Sequence, residues 1–513
     1  MRKRVVPVDR LRLVLGLVVP SLLAVGAGGS ALAASGPGAA SGPSAASSPA
    51  AGAAHGPAAT ACTVTWVGHA SQPLWTIGQN WSTGTVPGPT SNVCIGTGVD
   101  VITGVSVTIH SLRLGVNAGF ALEGTAAKPL TATVATSVDL TPGGVSRIDL
   151  TDATISAAQI SDQGGTIFTD GTVRLDSPDI TFGQGGNVQA ANGTTTLTSL
   201  PQLSGGTLTG ASFSTSGAVV VLPGDITRLV SANIGVGTNS AIRDPAGRNA
   251  LTGLTSVDSQ SSLSDDSALA LTGSLAASGN VALRGQTLSV AGTFTQAQGT
   301  LSLSGSGRLS ASQVLIAQKA SLQASGGTIA GSLVNDGSAQ AFGGFATQVT
   351  GNYQQAPGAN LESGFGGPLA VAGTATLAGS VSSIEGEPVT GDISPAITFG
   401  SLAGGFTSSG LGFTFVTKPH EIDVVTQPQI AASPVTVAPR QAVTVSGASF
   451  QLGDSVQVFL DHVGGTPLGG TEAGYGGRFS VQVTIPASAQ AGTHHLIAVG
   501  SDGSQAETTI TVS

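Results

Sequence analysis

The chain is poor in charge and in aromatic rings. Only 9% of its 513 residues are Asp, Glu, Lys or Arg and 4% are aromatic, with two cysteines and one methionine. The scarcity of Lys, Glu and Met argues against an ordinary helical enzyme. Disorder is also excluded, because 40% of the residues are hydrophobic. The abundant residues, 76 glycines with Thr, Ser and Val, predict an all-β protein with many turns.

The N-terminus has the features of a secretory signal peptide. A basic segment at 2–12 precedes an apolar run at 13–25, and Ala31-Leu32-Ala33 offers the small residues that a signal peptidase reads. The run is too short, and too interrupted by Pro20, to be a good membrane span. We therefore predict a signal peptide at 1–33 and a secreted protein, extracellular or associated with a cell surface, without a membrane span after its removal.

The charge of the mature chain limits its partners. Removal of residues 1–33 leaves 13 Lys and Arg against 26 Asp and Glu, a formal net charge of −13. A surface of this sign repels nucleic acid and anionic lipid. We expect neither as a partner.

Apart from His55 and Thr60, residues 34–61 consist of Ala, Ser, Gly and Pro, with no large apolar residue. Nothing in such a segment offsets the entropy lost when a backbone is ordered. The composition predicts a disordered linker.

The only two cysteines, Cys62 and Cys94, enclose all three tryptophans, Trp66, Trp75 and Trp81. An even number of cysteines in an exported chain predicts a disulfide. Closing a loop of about 32 residues would stabilise the fold by roughly 3.5 to 4 kcal/mol in the chain-entropy model. The alternatives, a metal site or free thiols, lack further ligands and basic neighbours.

The body of the chain carries a repeat of about 20 residues. From residue 263 onward, three series of apolar residues recur in phase, within segments that alternate apolar and polar residues and are broken by glycines. The series are Leu263, Leu283, Leu303, Leu322 and Phe342; Leu269, Leu288, Leu309, Ile329 and Val349; and Leu275, Phe294, Val314, Leu333 and Tyr353. Three short strands per repeat predict a parallel β-helix, with roughly 13 turns if it fills residues 98 to about 360.

A β-helix needs a cap at each end, because its terminal turns expose strand edges and a hydrophobic interior. The tryptophans supply apolar surface of about 200 Å² each, and a disulfide can hold their segment over the first turn. We predict a Trp-rich, disulfide-stapled cap at 62–97 and a β-solenoid with its closing turns at 98–426. In the alternative interpretation, Trp66, Trp75 and Trp81 contact a glycan.

Two segments resemble known β-helix proteins. "NWSTGTVPGPTSNVCIG", residues 80–96, resembles the N-terminal segment of many secreted bacterial β-helix proteins, where an Asn-Trp, a Gly-x-x-Pro and a polar turn precede the first strand. "YQQAPGANLESGFGGPLAVAGTATLAGSV", residues 353–381, resembles the closing turns of autotransporter-like and adhesin-like solenoids. The resemblance implies an architecture and names no activity, because such proteins range from adhesins to surface-layer components.

Residues 427–513 have a different pattern, with seven or so short alternating strands at the spacing of a β-sandwich. Segments 443–450, 479–486 and 491–499 resemble bacterial immunoglobulin-like modules of the IPT/TIG kind. The resemblance implies a β-sandwich that acts as a spacer or binding unit rather than as an enzyme.

Residues suited to catalysis are few. Many secreted β-helix proteins cleave acidic polysaccharides with carboxylates stacked on adjacent turns. Asp152 and Asp170, 18 residues apart, are candidates for such a pair. Their neighbours are Asp162, Asp176 and Asp179, with Arg147 or Arg174 as a basic partner. The sequence has neither the characteristic phrases of polygalacturonases nor a pectate-lyase constellation, so solvated turn aspartates are the simpler interpretation.

Metal and cofactor sites are not expected. His494 and His495 are neighbours in a predicted strand, so their side chains point to opposite faces and cannot share one metal ion. Asp265 and Asp266 form a single acidic turn without the context of a calcium loop.

These observations predict a non-catalytic extracellular structural or adhesive protein that displays a β-solenoid surface, with a glycan or cell-surface component as candidate partner. The alternative is a polysaccharide lyase or glycoside hydrolase of the β-helix type. Depolymerisation of acidic or neutral glycans would distinguish the two.

Overall fold

The computed structural model describes residues 61–68, 70, 72–142, 145–183, 185–364, 367–383, 393–410 and 412–513. The predicted signal peptide and all but the last residue of the predicted linker lie outside these ranges. Regular structure within them is almost entirely β-strand, with two single-turn 3-10 helices at Gly78–Asn80 and Tyr475–Gly477. In the same ranges, no helix is long and apolar enough to cross a membrane.

A parallel β-solenoid of about 13 turns forms the larger part of the molecule, as the repeat predicts. Its strands alternate buried and exposed residues, so each turn contributes its apolar side chains to one continuous interior. In the described ranges, 35 strands join in this sheet. They are β1 (Val64–Thr65), β2 (Asn92–Ile95), β3 (Asp100–Thr103), β4 (Val107–Ile109), β5 (Ser111–Leu114), β6 (Gly119–Glu123), β7 (Leu130–Leu140), β8 (Arg147–Thr151), β9 (Ala153–Asp162), β10 (Thr166–Asp176), β11 (Ile180–Phe182), β12 (Asn187–Leu197), β13 (Leu203–Ser204), β14 (Thr207–Thr209), β15 (Ser212–Val221), β16 (Arg228–Val230), β17 (Asn233–Val236), β18 (Ala241–Arg243), β19 (Ser256–Val257), β20 (Ser262–Asp265), β21 (Leu269–Leu271), β22 (Leu275–Ala277), β23 (Asn280–Leu283), β24 (Thr287–Val290), β25 (Phe294–Asn335), β26 (Ser338–Ala341), β27 (Thr347–Val349), β28 (Tyr353–Gln355), β29 (Asn360–Ser363), β30 (Leu369–Leu377), β31 (Ser380–Ser383), β32 (Ile393–Gly404), β33 (Ser408–Ser409), β34 (Phe413–Thr417) and β35 (Glu421–Thr426).

The stacked strands form three faces, one for each strand position in a turn. The first face carries the candidate site and consists of β3, β6, β8, β17, β20, β23, β26, β29 and β31, the first halves of β10, β12 and β15, and part of β25. Neighbouring strands on this face pair in parallel, so equivalent side chains of successive turns lie about 4.8 Å apart.

On two of the three faces, the predicted series of apolar residues agrees with the residue pairs that the structure defines. Leu269 lies opposite Leu288 in the second series, and Leu275 lies opposite Phe294 in the third. The first series is correct for Leu283 and Leu303, which pair with each other, and wrong toward both of its ends. Leu263 pairs with Val281 rather than with Leu283, and Leu322 pairs with Ala339 rather than with Phe342.

The error has a simple cause in the pleat of the strand. Val281 and Leu283 both point inward, because side chains on one face of a strand are two residues apart. Counting periods therefore cannot decide between them. Phe342 lies one residue beyond the end of β26. The inward position that the repeat assigned to Phe342 is occupied by the small Ala339.

Both ends of the solenoid stop the parallel stacking. At the N-terminal end, the two-residue strand β1 pairs with β2, which pairs with β5. At the C-terminal end, β35 runs antiparallel to both β32 and β34. A short strand at one end and an antiparallel pair at the other leave little parallel edge for another chain to join.

The C-terminal part has a hydrophobic core of its own, which includes Val445, Phe450, Val458 and Leu496. Two sheets surround it, one of three strands and one of five. The strands are β36 (Gln429–Ser433), β37 (Thr436–Val437), β38 (Ala442–Ala448), β39 (Ser455–Leu460), β40 (Gly469–Glu472), β41 (Phe479–Thr484), β42 (Gly492–Val499) and β43 (Gln505–Val512). Two sheets around one core agree with a sandwich, whereas membership of the immunoglobulin-like family stays a prediction.

Candidate functional site

The predicted disulfide is present. Cys62 and Cys94 are joined by an S–S bond of 1.98 Å with their Cα atoms 5.7 Å apart. The bond fixes the beginning of the described chain to β2, the strand on which the first solenoid turn is built.

The tryptophans form one cluster over that turn. Trp75 and Trp81 are each only 1% exposed, and their rings meet edge to face at 4.7 Å. Trp75 also contacts Phe120 of the solenoid interior at 5.6 Å, and Trp81 Nε1 donates a hydrogen bond to the Trp75 carbonyl oxygen at 2.8 Å. Trp66 packs on Trp81 at 4.9 Å and is partly exposed. The predicted glycan contact therefore rests on Trp66, because the other two rings have no face open to water.

Asn80 explains why an asparagine precedes Trp81, a role that sequence reasoning missed. Its side chain is fully buried and bonds only to backbone. Oδ1 accepts from the Ala70 amide at 2.8 Å, and Nδ2 donates to the carbonyl oxygens of Gln72 and Leu74 at 2.8 and 3.2 Å. These bonds hold the preceding loop against the cluster.

The two principal candidate acids lie on adjacent turns. Asp170 pairs with Thr151 of the preceding turn, and Thr151 is the residue directly before Asp152. Each carboxylate is nevertheless used locally. Asp152 Oδ1 accepts from the Thr172 amide at 2.9 Å, and Asp170 Oδ1 accepts from Asn192 Nδ2 at 3.2 Å. Both bonds stabilise the corner between two strands.

The neighbouring acids do not join this pair. Asp162 is fully buried, and burial raises the pKa of its carboxyl group although three backbone amides donate to it. Asp176 forms an ion pair with Arg174 at 3.0 Å. Asp179 accepts from Gln159 Nε2 at 2.8 Å. Each acid therefore has a separate structural partner.

A row of outward polar side chains on the first face was not singled out from the sequence. Each member directly precedes a buried apolar residue, and the pairing of the strands stacks the members on one another. We call this row the polar ladder. It consists of Asn187, Ser212, Asn233, Ser262, Asn280, Thr300, Ser321, Ser338, Asn360 and Ser380.

Hydrogen bonds between successive turns orient the ladder. Asn233, for example, donates from Nδ2 to Ser212 Oγ at 3.2 Å and accepts at Oδ1 from Ser262 Oγ at 2.8 Å. The Thr300 and Ser321 hydroxyls lie 3.0 Å apart, and Ser380 Oγ donates to Asn360 Oδ1 at 2.8 Å. Since amides and hydroxyls both donate and accept, the ladder keeps further bonding capacity toward solvent.

Within the described residues, we consider two grooves that run across the ladder. The first, of about 410 Å³, spans four ladder residues, Asn187, Ser212, Asn233 and Ser262. Its floor contains Gly235 with Ser214 and Ser264 on either side. Small side chains at these outward positions make the surface concave. The second groove, of about 870 Å³, is lined by Thr300, Gln318, Lys319, Ser321, Asp336 and Ser338, among others.

A buried polar network supports the second groove from inside. Tyr353 Oη donates to Gln355 Oε1 at 2.7 Å and accepts from Asn335 Nδ2 at 3.2 Å. Gln355 Nε2 also donates to the carbonyl oxygen of Ser380, and Asn335 Nδ2 donates to that of Asn360. Burial raises the pKa of Tyr353, so its hydroxyl stays protonated. The network ties the turns on which ladder residues lie and fixes their spacing.

A charged cluster extends the same face toward the N-terminus. Arg147 Nε lies 2.9 Å from Asp149 Oδ2, and the guanidinium group is 4.0 Å from Asp100 and 6.0 Å from the centre of the Phe168 ring. Burial raises the pKa of Asp149, and Arg147 opposes that shift. Because Arg147 pairs with Thr166, which pairs with Asn187, the cluster is continuous with the ladder.

The sequence does contain a signal for the ladder. A four-residue pattern recurs in "NIGV", "SLSD", "NVAL" and "TLSL". Its first residue is polar, its second is apolar, its third is small or polar, and its fourth points inward. The signal becomes legible only once the turns are aligned, since the turns differ in length. Phe120 pairs with Ile148 and Ile234 with Leu263, both more distant than the ~20-residue period.

Comparisons with known proteins add no family. No protein-family model matches the chain, and no curated protein matches it. Among solved structures, macromomycin is similar to a part of it, with 19% sequence identity over 17% of this chain and 99% of macromomycin, at a TM-score of 0.15.

Proposed function

We propose that the chain is a secreted, non-catalytic structural or adhesive protein that binds extracellular or cell-surface glycans along the polar ladder. The observation that carries the proposal is the regular spacing of oriented amides and hydroxyls over shallow grooves. A polymer of sugars presents hydroxyl groups at repeated intervals, and a row of groups that donate and accept can meet them one after another.

The charges favour a neutral glycan. The ladder itself has no cationic side chain, and the formal net charge of the whole chain is −9. An acidic polysaccharide would be repelled over the length of the face. At its N-terminal end, the half-buried Phe168 ring provides a surface on which a sugar ring can stack.

The C-terminal sheets fit an auxiliary role in this proposal. The resemblance to immunoglobulin-like modules implies a spacer or attachment unit, which would hold the solenoid away from a surface. The adhesin-like resemblance of residues 353–381 agrees with display of a long face rather than with an enclosed active site.

A glycan array probed with the full chain tests the proposal. We expect binding to neutral polysaccharides, and a Gly235→Gln variant, which fills the floor of the first groove, should bind at least about tenfold more weakly. Ser302→Gln, which points outward on the same face but does not line either groove, is the matched control. Absence of binding to every neutral glycan, or equal binding by both variants, would contradict the proposal.

The enzyme alternative makes a separate prediction. A lyase or hydrolase on this face would use Asp149, a partly exposed carboxyl beside Arg147 whose raised pKa suits a proton donor. Release of oligosaccharides from acidic or neutral glycans, lost in Asp149→Asn, would replace the non-catalytic proposal.

A further inference from the structure

A surface pocket lies at the end of the first groove, and we call it the corner pocket. Along β20, the outward residues are Ser262 of the ladder and Ser264 of the groove floor, and the next residue on that side, Asp266, lines the pocket. Outward residues of one strand are about 7 Å apart. The Asp266 amide still donates to the Val236 carbonyl oxygen of the preceding turn at 2.7 Å. The pocket therefore continues the groove toward the corner of the solenoid.

The corner pocket is small and polar. Its volume is about 460 Å³, within the range of about 300 to 1,000 Å³ that is typical of small-molecule sites. Eight of its ten lining residues are polar or charged, and the other two are alanines. Two lining residues are charged, Arg243 and Asp266, and their charges have opposite signs. A small, polar ligand without net charge therefore suits the pocket.

Asp266 places an unused acceptor in the wall. Its Oδ1 is buried and has no hydrogen-bond partner among the described residues. A buried acceptor without a donor is destabilising, and a ligand that supplies the donor removes that cost. The preceding Asp265 is 1% exposed and points into the solenoid, so the two acids of this turn have separate surroundings.

Part of the wall belongs to an insertion in the solenoid turn. The ladder residues of β17 and β20 are 29 residues apart, and the extra length includes a loop at 244–248 that a bridge between Arg243 and Asn249 closes. The buried Asp244 holds this loop, since its carboxylate accepts from the Arg248 amide and from Arg248 Nε, both at 2.8 Å. Arg243 and Asn249, which both line the pocket, are therefore positioned before any ligand binds.

These two residues provide hydrogen-bond donors. Asn249 Oδ1 accepts from the Leu251 amide at 2.9 Å, which leaves Nδ2 to donate to a ligand. Arg243 Nη1 donates to the Gly247 carbonyl oxygen at 2.7 Å, and the guanidinium group has further N–H groups on its other nitrogens. The pocket thus combines a carboxylate acceptor with amide and guanidinium donors.

We propose that the corner pocket binds a single neutral hexose unit through its hydroxyl groups. A hydroxyl both donates and accepts, so neighbouring hydroxyls of one sugar can donate to Asp266 and accept from Arg243 or Asn249. A simple ammonium group would be attracted by Asp266 and repelled by Arg243, and a simple carboxylate the reverse. The inference builds on the proposed glycan binding, because a polymer in the first groove would bring its terminal or branching unit to the pocket.

A ligand-observed NMR titration of the full chain with the methyl glycosides of glucose, galactose and mannose tests the pocket. We expect at least one of them to bind with a Kd on the order of a few millimolar, and Asp266→Asn should weaken that binding at least about tenfold. Ala268→Leu, at an exposed alanine that lines the pocket, should do the same by occupying its volume. Ala270→Leu, at an exposed alanine of β21 that does not line the pocket, is the matched control and should bind like the wild type.

A neutral oligosaccharide that the glycan array selects separates this proposal from the binding along the ladder. Gly235→Gln should weaken the oligosaccharide and leave the methyl glycoside unchanged, whereas Ala268→Leu should weaken both. Binding of a methyl glycoside without binding of any polymer would support the pocket and contradict the ladder. Failure of every methyl glycoside to bind, or equal binding by Ala268→Leu and the wild type, would overturn the pocket. Glycine, whose two charges could match those of the wall, is titrated alongside, and its binding in place of the sugars would also overturn it.

Discussion

The tryptophans at the N-terminal end of the solenoid differ in how much each contributes to stability. Trp81 is buried between Trp66 and Trp75, and its indole N–H is bonded to backbone. We expect Trp81→Ala to lower the free energy of unfolding by about 3 to 5 kcal/mol, the usual cost of removing a buried aromatic side chain. Urea denaturation followed by circular dichroism measures it. The partly exposed Trp66 provides the comparison, and Trp66→Ala should cost clearly less; equal costs would contradict the burial of Trp81.

Asp265 is a charged residue in an apolar interior. It occupies the inward position that is held by Val236 on the preceding turn and by Leu283 on the next, and it is 1% exposed. Oδ1 accepts from the hydroxyl and amide of Ser267, but Oδ2 has no partner. Burial raises the pKa of Asp265 to about 6, against an ordinary value of 3.8. Between these two pKa values, the Asp265 carboxyl is therefore protonated in the folded protein and ionised in the unfolded chain.

The pKa of Asp265 predicts a pH dependence with a definite sign. As the pH rises from about 4 to 6, the unfolded state loses this proton first, so the folded state loses about 3 kcal/mol of stability, and no more above that range. Asp265→Asn should remove this loss. Its free energy of unfolding relative to wild type should rise over the same range, as measured by urea denaturation at several pH values.

Asp176→Asn serves as the control, because Asp176 is half-exposed and paired with Arg174. Its difference from wild type should not increase between pH 4 and 6. A constant difference for Asp265→Asn would show that the Asp265 carboxyl is ionised throughout.

At the scale of the strand, alternation decides which substitutions are tolerated. Leu303 is 1% exposed in the solenoid interior, opposite Leu283, whereas its neighbour Ser302 points outward, opposite Ala282. Leu303→Asp should cost several kcal/mol, because a carboxylate would enter a dry stack. Ser302→Asp should be nearly neutral. Thermal unfolding of both variants checks this, and similar tolerance of the two would refute the assigned register.

The strands also show how far the sequence could be interpreted. Large apolar residues such as Leu288 and Phe294 marked their positions well, because nothing else nearby competed for the interior. Ala339 was missed, since a small inward residue looks like background in a chain rich in alanine. The polar ladder was invisible for a related reason. Serine and asparagine occur throughout the sequence, and only the pairing of strands selects those that stack.

At the scale of the molecule, the two ends of the chain also differ in how well the sequence predicts their contacts. The disulfide followed from the even number of cysteines in a chain predicted to be exported, which is local information. The hydrogen bond from Ser501 to Asp454 in the C-terminal sheets could not be predicted, because it depends on how distant loops pack. Local chemistry was thus predictable, whereas sites that several turns or loops assemble were not.

The whole solenoid depends on its N-terminal segment remaining in place. Residues 62–96 contain β1, the disulfide and the tryptophans that cover the Phe120 end of the interior. Deleting them would expose the full edge of β5 together with an apolar surface, and such an edge pairs with other chains. We therefore expect the deleted protein to form oligomers or aggregates, as measured by size-exclusion chromatography with light scattering. The double variant Cys62→Ser/Cys94→Ser keeps the segment and loses only the bond, so it should stay monomeric with stability lowered by roughly 3.5 to 4 kcal/mol. A deletion product that is monomeric and melts cooperatively would show that the segment does not close the solenoid.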